Sequence, residues 1–232
     1  MRPVSRGGHP RVNKKRAIFR DYVDARRFLV DRLGPYCSYC EIRHPSPSVE
    51  HVRPKSGHPL LRKRWSNLLL ACTNCNSIKG SRAVTLGDYL WPDVDNTARA
   101  FEYLAGGRVR VALGLTARQA SLAQNLSDLV GLMRTPATTP AATDVDPRWR
   151  ERVSTWKMAQ RLRSLVACND TPELREAIVE AARGQGCWSI WMVVFATDDD
   201  MVRRLWGALP GTAKGACVDT SLKLRSRKGG RL

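Results

Sequence analysis

Tyr36-Cys37-Ser38-Tyr39-Cys40-Glu41, then Val49-Glu50-His51-Val52-Arg53-Pro54-Lys55, then Asn67-Leu68-Leu69-Leu70-Ala71-Cys72-Thr73-Asn74-Cys75-Asn76 decide the fold of the first part of this chain. Cys37, Cys40, Cys72 and Cys75 form two Cys-x-x-Cys knuckles, right in type and number for a tetrahedral Zn2+ site. The knuckles are 31 residues apart, against roughly 15–20 in a simple ribbon. Something is therefore inserted between them. A structural ion would fix both ends of the inserted segment and contribute folding free energy.

The inserted segment carries groups suited to chemistry. His51 is one of only four histidines, and a neutral imidazole can take a proton from water at cellular pH. Four thiolates already complete a zinc shell, so nothing points to His51 as a ligand. His9, His44 and His58 stand in basic or proline-flanked loop sequence and read as solvated. The Glu50 carboxylate and the Asn76 carbonyl offer hard oxygens to a divalent cation such as Mg2+ or Mn2+. Taken singly, Glu50 suits a surface carboxylate and Asn76 a helix cap. Asn67 reads as an amide tying the middle loop to the strand that bears His51. Lys79, three residues after Asn76, falls on the same helical face and is expected to meet phosphate. Arg53, Lys55 and Arg82, with Arg62, Lys63 and Arg64, extend the positive surface.

Outward from this window, charge is the next signal. The chain has 232 residues with 39 Lys and Arg against 21 Asp and Glu, a net charge of +18 and a pI near 10.3. Residues 1–82 hold 18 basic and 5 acidic side chains, and residues 214–232 hold six and one. Such a field attracts polyphosphate through counterion release, so nucleic acid is the expected partner. No apolar run approaches the roughly 18 residues of a membrane span, and the basic start lacks a secretory apolar core. Seven cysteines, an odd number, with close spacing in four of them, argue for metal ligation in a reducing cytoplasm over a disulfide framework. Cys168, Cys187 and Cys217 read as plain thiols.

The expected fold is α+β, mostly α. Residues 1–35 read as a basic flexible arm followed by a helix from about Arg20 to Leu33, stopped by Gly34-Pro35. The metal-binding module with its extension spans 36–134, with a short strand at Ser48–Val52, a hairpin over 101–113 around Gly106-Gly107, and a helix from Thr116 to Met133. A Thr/Pro/Ala linker covers 135–146. Residues 147–232 read as a predominantly helical region with a loose basic tail. Its helices run from Pro147 to Val166, from Pro172 to about Arg183 behind a Thr171 cap, and onward from Thr197. Cys187 to Phe195 suits a buried helix or a strand, and periodicity does not choose.

Cys37-x2-Cys40, Val49-Glu50-His51-x2-Pro54-Lys55, Asn67 and Cys72-x2-Cys75-Asn76-x2-Lys79-Gly80 resemble the HNH endonucleases of ββα-metal fold. The resemblance implies His51 as general base, Glu50 and Asn76 as ligands of a catalytic divalent ion, Asn67 as a residue positioning the His loop, and a structural zinc on the four cysteines. Many HNH enzymes have Asp or His where Glu50 stands. Met1-Arg2-Pro3-Val4, Asp88-Tyr89-Leu90-Trp91-Pro92-Asp93 with Asn96, and Trp191-Met192-x2-Phe195-Ala196 look like the retron- and Septu-associated, PtuB-type HNH proteins of bacterial anti-phage defence. That likeness implies a DNA-cutting subunit beside an SMC/ABC-like, PtuA-type ATPase. The alternative is a non-enzymatic zinc-knuckle module that binds nucleic acid or serves as an adaptor. It has no use for Glu50, His51 and Asn76 in that order.

Overall fold

The computed structural model describes residues 1–139 and 146–232. A small β-rich module is followed by a mostly helical region. In the module, β3 (Ser48–His51) pairs antiparallel with β4 (Leu68–Ala71), with Val49 opposite Leu70 and His51 opposite Leu68. All four β4 residues are buried, so both faces of that strand are covered, as its unbroken Leu-Leu-Leu-Ala run demands. Helix α2 (Thr73–Lys79) starts directly after β4. Cys72 is its N-cap, the thiol accepting from the Cys75 N–H at 3.5 Å, and the chain leaves it at Gly80 with φ +55°. This β3–β4–α2 unit is what positions the site.

Around it, α1 (Arg26–Leu33) follows a 3-10 turn at Tyr22–Ala25 and buries Leu29 and Leu33. Strands β5 (Phe101–Leu104) and β6 (Arg108–Val111) form the expected hairpin. Helix α3 (Ala117–Val130) opens with a reciprocal cap between Thr116 and Gln119 and closes at Gly131, φ +63°. At Gly131 a Cβ would stand 2.8 Å from Arg134 Nε and 3.0 Å from Ile78 Cδ1, so a side chain there would need these neighbours to shift.

The helical region comprises α4 (Arg148–Cys168), α5 (Pro172–Gln185), α6 (Trp188–Val194), α7 (Asp199–Ala208) and α8 (Lys214–Cys217). Thr171 caps α5, as its sequence indicates, whereas the cap of α7 is Asp198, one residue after the expected Thr197. The ambiguous apolar stretch is helix α6. It buries Trp188, Ile190, Trp191 and Val194, so no polar stripe betrays its period. Trp188 meets Trp206 edge-on at 4.7 Å, and its indole N–H donates to the Leu205 carbonyl at 2.8 Å. No helix among the described residues is long and apolar enough to cross a membrane.

Two expectations fail. The first four residues are buried, not part of a flexible arm. The Arg2 guanidinium donates to the carbonyls of Pro210 at 2.7 Å and Leu33 at 3.0 Å, and Val4 donates to the Pro92 carbonyl at 2.7 Å. Nor is the basic tail loose. Asn96 donates to the Cys217 and Arg225 carbonyls at 2.8 and 2.7 Å, and Asp95 accepts from the Arg231 N–H at 2.6 Å. Charge content marked both segments as solvated, but their backbones are satisfied by buried side chains far away in sequence. Of the linker read at 135–146, residues 140–145 lie outside the described residues. On either side, the buried apolar side chains belong to one core.

Glu41 joins these parts. Its carboxylate is fully buried and accepts from the Arg2 N–H at 2.5 Å, from the Ser189 N–H at 2.7 Å and from the Ser189 hydroxyl at 2.6 Å, with the Tyr103 hydroxyl at 3.3 Å. Glu41→Ala strands all of these donors in an apolar interior. We predict a loss of about 3–5 kcal/mol in urea unfolding, the scale for breaking a buried charged network. A change under about 1 kcal/mol would show that this network is not structural.

Candidate metal centre and active site

Cys37 and Cys40 come from the turn after Tyr36, and Cys72 and Cys75 from the entry to α2. Their sulfurs all lie within 4.8 Å of one another, and all four residues are buried. Cys40 Sγ and Cys72 Sγ are 3.6 Å apart, close to the ~3.8 Å edge of a tetrahedron built on ~2.3 Å Zn–S bonds. The N–H groups of Cys40 and Cys75 point at Cys37 Sγ and Cys72 Sγ, each at 3.5 Å. Hydrogen bonds from Cys37, Cys40 and Cys75 hold the Cys72 thiol far below its ordinary pKa. Those with Cys37 and Cys72 push Cys40 up, and burial pushes Cys75 up. The sulfurs thus compete for protons, and a divalent cation is what lets all four carry charge together. The donor set fits a structural metal ion.

Sequence reading missed the outer partner of this cluster. Arg148, at the start of α4, is 2% exposed and donates from Nη1 to Cys75 Sγ at 3.1 Å and to the Val130 carbonyl at 2.8 Å. Asp146 pairs with its Nη2 at 2.6 Å. An arginine 73 residues away from the cysteine it meets leaves no local signal.

His51 is 7% exposed. Its Nε2 lies 2.9 Å from the Arg62 carbonyl oxygen. A carbonyl only accepts, so Nε2 carries the proton and a neutral ring keeps its lone pair on Nδ1. Burial lowers the His51 pKa, outweighing the hydrogen bond to Arg62, so the neutral ring is favoured. Tyr22 stands edge-on to the imidazole at 4.7 Å. Tyr22 counts in the sequence only as an apolar helix position, and its place over His51 was not legible there.

Asn67 is buried and grips residue 53 at both ends: Oδ1 accepts from the Arg53 N–H at 2.8 Å, and Nδ2 donates to the Arg53 carbonyl at 2.9 Å. This two-point tie holds the segment after His51. Asn76, on α2, is half-buried and lines with His51 a cleft of about 300 Å3 that also includes Tyr22, Lys55 and Ser81.

Other expected residues are placed differently. Glu50 is 3% exposed and ion-paired with Lys79 at 2.8 Å, with the Tyr39 hydroxyl 3.4 Å from the same oxygen. Side chains alternate along a strand, so Glu50 turns inward where its neighbours Val49 and His51 line the cleft. Burial raises its pKa despite Lys79. Lys79 is 1% exposed and donates to the His51 carbonyl at 2.7 Å. It lines the same cleft but is spent on Glu50 and on bracing β3, rather than standing as an exposed phosphate contact. Arg82 spends its guanidinium on the Ile78 and Leu129 carbonyls, both at 2.5 Å, closing α2 against α3. Lys55 remains exposed at the cleft, with Nζ 3.2 Å from the Tyr22 hydroxyl. Arg53 is half-buried.

Residues 37–82 match the family described as HNH endonuclease. The match is confined to this stretch. The Septu protein PtuB of Bacillus thuringiensis is 37% identical over 87 residues, a match covering 34% of this chain and 34% of that protein. The chain thus spans about a third of the curated relative it matches. The matched HNH stretch begins at Cys37 and ends at Arg82, enclosing the thiol cluster, His51 and Asn76. Arg148 lies beyond it.

Outer-sphere donors typically tune metal affinity 10–100-fold. Arg148→Gln is therefore expected to weaken retention of Zn2+ against a competing chelator by about that factor, read by a colorimetric zinc assay. Equal retention in both proteins would deny the guanidinium that role.

Proposed function

We propose that this chain is a metal-dependent HNH endonuclease that hydrolyses DNA phosphodiesters, with Zn2+ on its four cysteines as scaffold. The supporting observation is the His51–Arg62 hydrogen bond, which leaves Nδ1 as the basic nitrogen beside a cleft shared with Asn76. His51 lies within the residues that match the HNH endonuclease family.

In this reading, His51 Nδ1 takes a proton from a water molecule. The water oxygen bonds to phosphorus, the bond to the leaving sugar oxygen breaks, and solvent protonates that oxygen. The Arg62 carbonyl keeps the tautomer and ring orientation, while Asn67 and Lys79 fix the backbone on both sides of the imidazole. A bound Mg2+ or Mn2+ would supply Lewis-acid stabilisation of charge on the phosphate, with Asn76 as the ligand that the cleft presents, while Glu50, the other ligand the resemblance implies, is buried against Lys79 and does not line that cleft. Likeness to PtuB supports a place in bacterial anti-phage defence, in the cytoplasm, beside an ATPase of the PtuA type.

Loss of a positioned general base costs typically 10²–10⁴-fold in rate. His51→Ala is expected to lose at least that in plasmid nicking with Mg2+ or Mn2+, while its zinc content and DNA affinity stay near those of the parent. Nicking by His51→Ala at the parental rate would remove His51 from catalysis. Binding without cutting by the parent, with either ion, would favour the non-enzymatic alternative.

A further inference from the structure

Arg11, Lys14, Lys15, Arg16, Lys63 and Arg64 are exposed and have no ion pair or side-chain hydrogen bond among the described residues. They gather around one feature. Strands β1 (Arg11–Val12) and β2 (Lys15–Arg16) form a tight hairpin turning at Asn13 and Lys14, both at positive φ of 50° and 64°. Two left-handed residues in a row suit the twist of a two-residue hairpin turn, but such a φ is unfavourable for lysine. Arg11 pairs directly with Arg16, so two like charges share one face of the ribbon. Directly opposed like charges destabilise a hairpin. The folded chain gains nothing from this arrangement, and an anionic partner would.

Beside the hairpin lies a cleft of about 650 Å3, lined by Gly7, Gly8, Arg16, Lys63, Arg64 and Trp65 among others. Its floor is rigid. Trp65 donates its indole N–H to the Gly7 carbonyl at 2.9 Å, and Arg32 donates to the Arg6 carbonyl at 2.7 Å. At Gly8 nothing lies within 4 Å of where a Cβ would point, so bare backbone is open to a ligand. The cleft is also tied to the catalytic histidine, since Lys63 and Arg64 directly follow Arg62, whose carbonyl holds His51.

We propose that the β1–β2 hairpin and the Gly7–Gly8 cleft form a clamp for the DNA phosphodiester backbone, gripping phosphates just to one side of the cut. The register relative to the cut rests on the nuclease reading, but the clamp does not. It replaces Lys79 and Arg82, which the fold occupies internally, as the surface that supplies affinity.

The test measures binding of a labelled DNA duplex of about 30 base pairs by anisotropy, across a salt series, in full-length protein carrying His51→Ala to suppress cutting. Arg16→Gln/Lys63→Gln/Arg64→Gln should lower the slope of log affinity against log salt by about 2.7, or about 0.9 per lost phosphate contact. At about 0.15 M salt the same slope implies a loss near 100-fold. The control is Arg150→Gln/Lys157→Gln/Arg161→Gln, which removes the same charge from one exposed face of α4 and should leave the slope unchanged. An unchanged slope in the first triple, or an equal loss in both, overturns the clamp. The double Lys63→Gln/Arg64→Gln should lose about 1.8 and serves if the triple folds poorly by circular dichroism. Binding without plasmid nicking by the parent protein, with either Mg2+ or Mn2+ and with the salt slope still lost in the triple, would sink the nuclease reading and leave the clamp standing.

Discussion

Four cysteine sulfurs within 4.8 Å of one another cannot all be charged without a counter-cation, and this constraint organises the structure. Two of the sulfurs end the β3–β4 hairpin at the start of α2, and two begin the segment that leads to β3. Holding them together sets where β3 enters and where α2 leaves. His51 and Asn76 lie on those two elements and both line one cleft. In the proposed reading the frame displays the chemistry and takes no part in it. Arg148 extends the frame, bringing a buried positive charge from the helical region onto the Cys75 sulfur.

A second constraint complements the first. Glu41 follows Cys40 immediately and takes a left-handed backbone, φ +67°, to turn its carboxylate into the interior. There it gathers donors from the N-terminal segment, the β5 strand and α6. Its carbonyl accepts from the Cys187 N–H at 3.0 Å, and at Gly186 a Cβ would stand 2.5 Å from that same oxygen. The helical region therefore cannot be read as an appendage. Its α6 packs against β5 and supplies the Ser189 donors to Glu41.

Much of this was legible in the sequence because it is local. The two knuckles, the Gly106-Gly107 hairpin, the Thr171 cap and the helix stop at Gly34 all rest on neighbours a few residues apart, where turn and capping chemistry is explicit. What was hidden depends on partners distant in sequence. Lys79 looks like any basic residue on a helix until Glu50 and the His51 carbonyl are placed against it. Arg2 and the basic tail look solvated until Leu33, Pro210 and Asn96 supply their hydrogen bonds. Tyr22 and the Arg62 carbonyl reach His51 only through the fold. Conversely, Lys63 and Arg64 stay free, a fact that no count of charges reveals.

The seam between the first residues and Pro210–Thr212 has a consequence for synthesis. Arg2 waits for a carbonyl 208 residues downstream, and at roughly 5–20 residues per second that is about 10 to 40 s of translation. The knuckle segment leaves the ribosome well before its covering helices do. Contacts of such sequence separation form slowly and late, so the nascent knuckle module spends that interval without the helices that bury its share of the core.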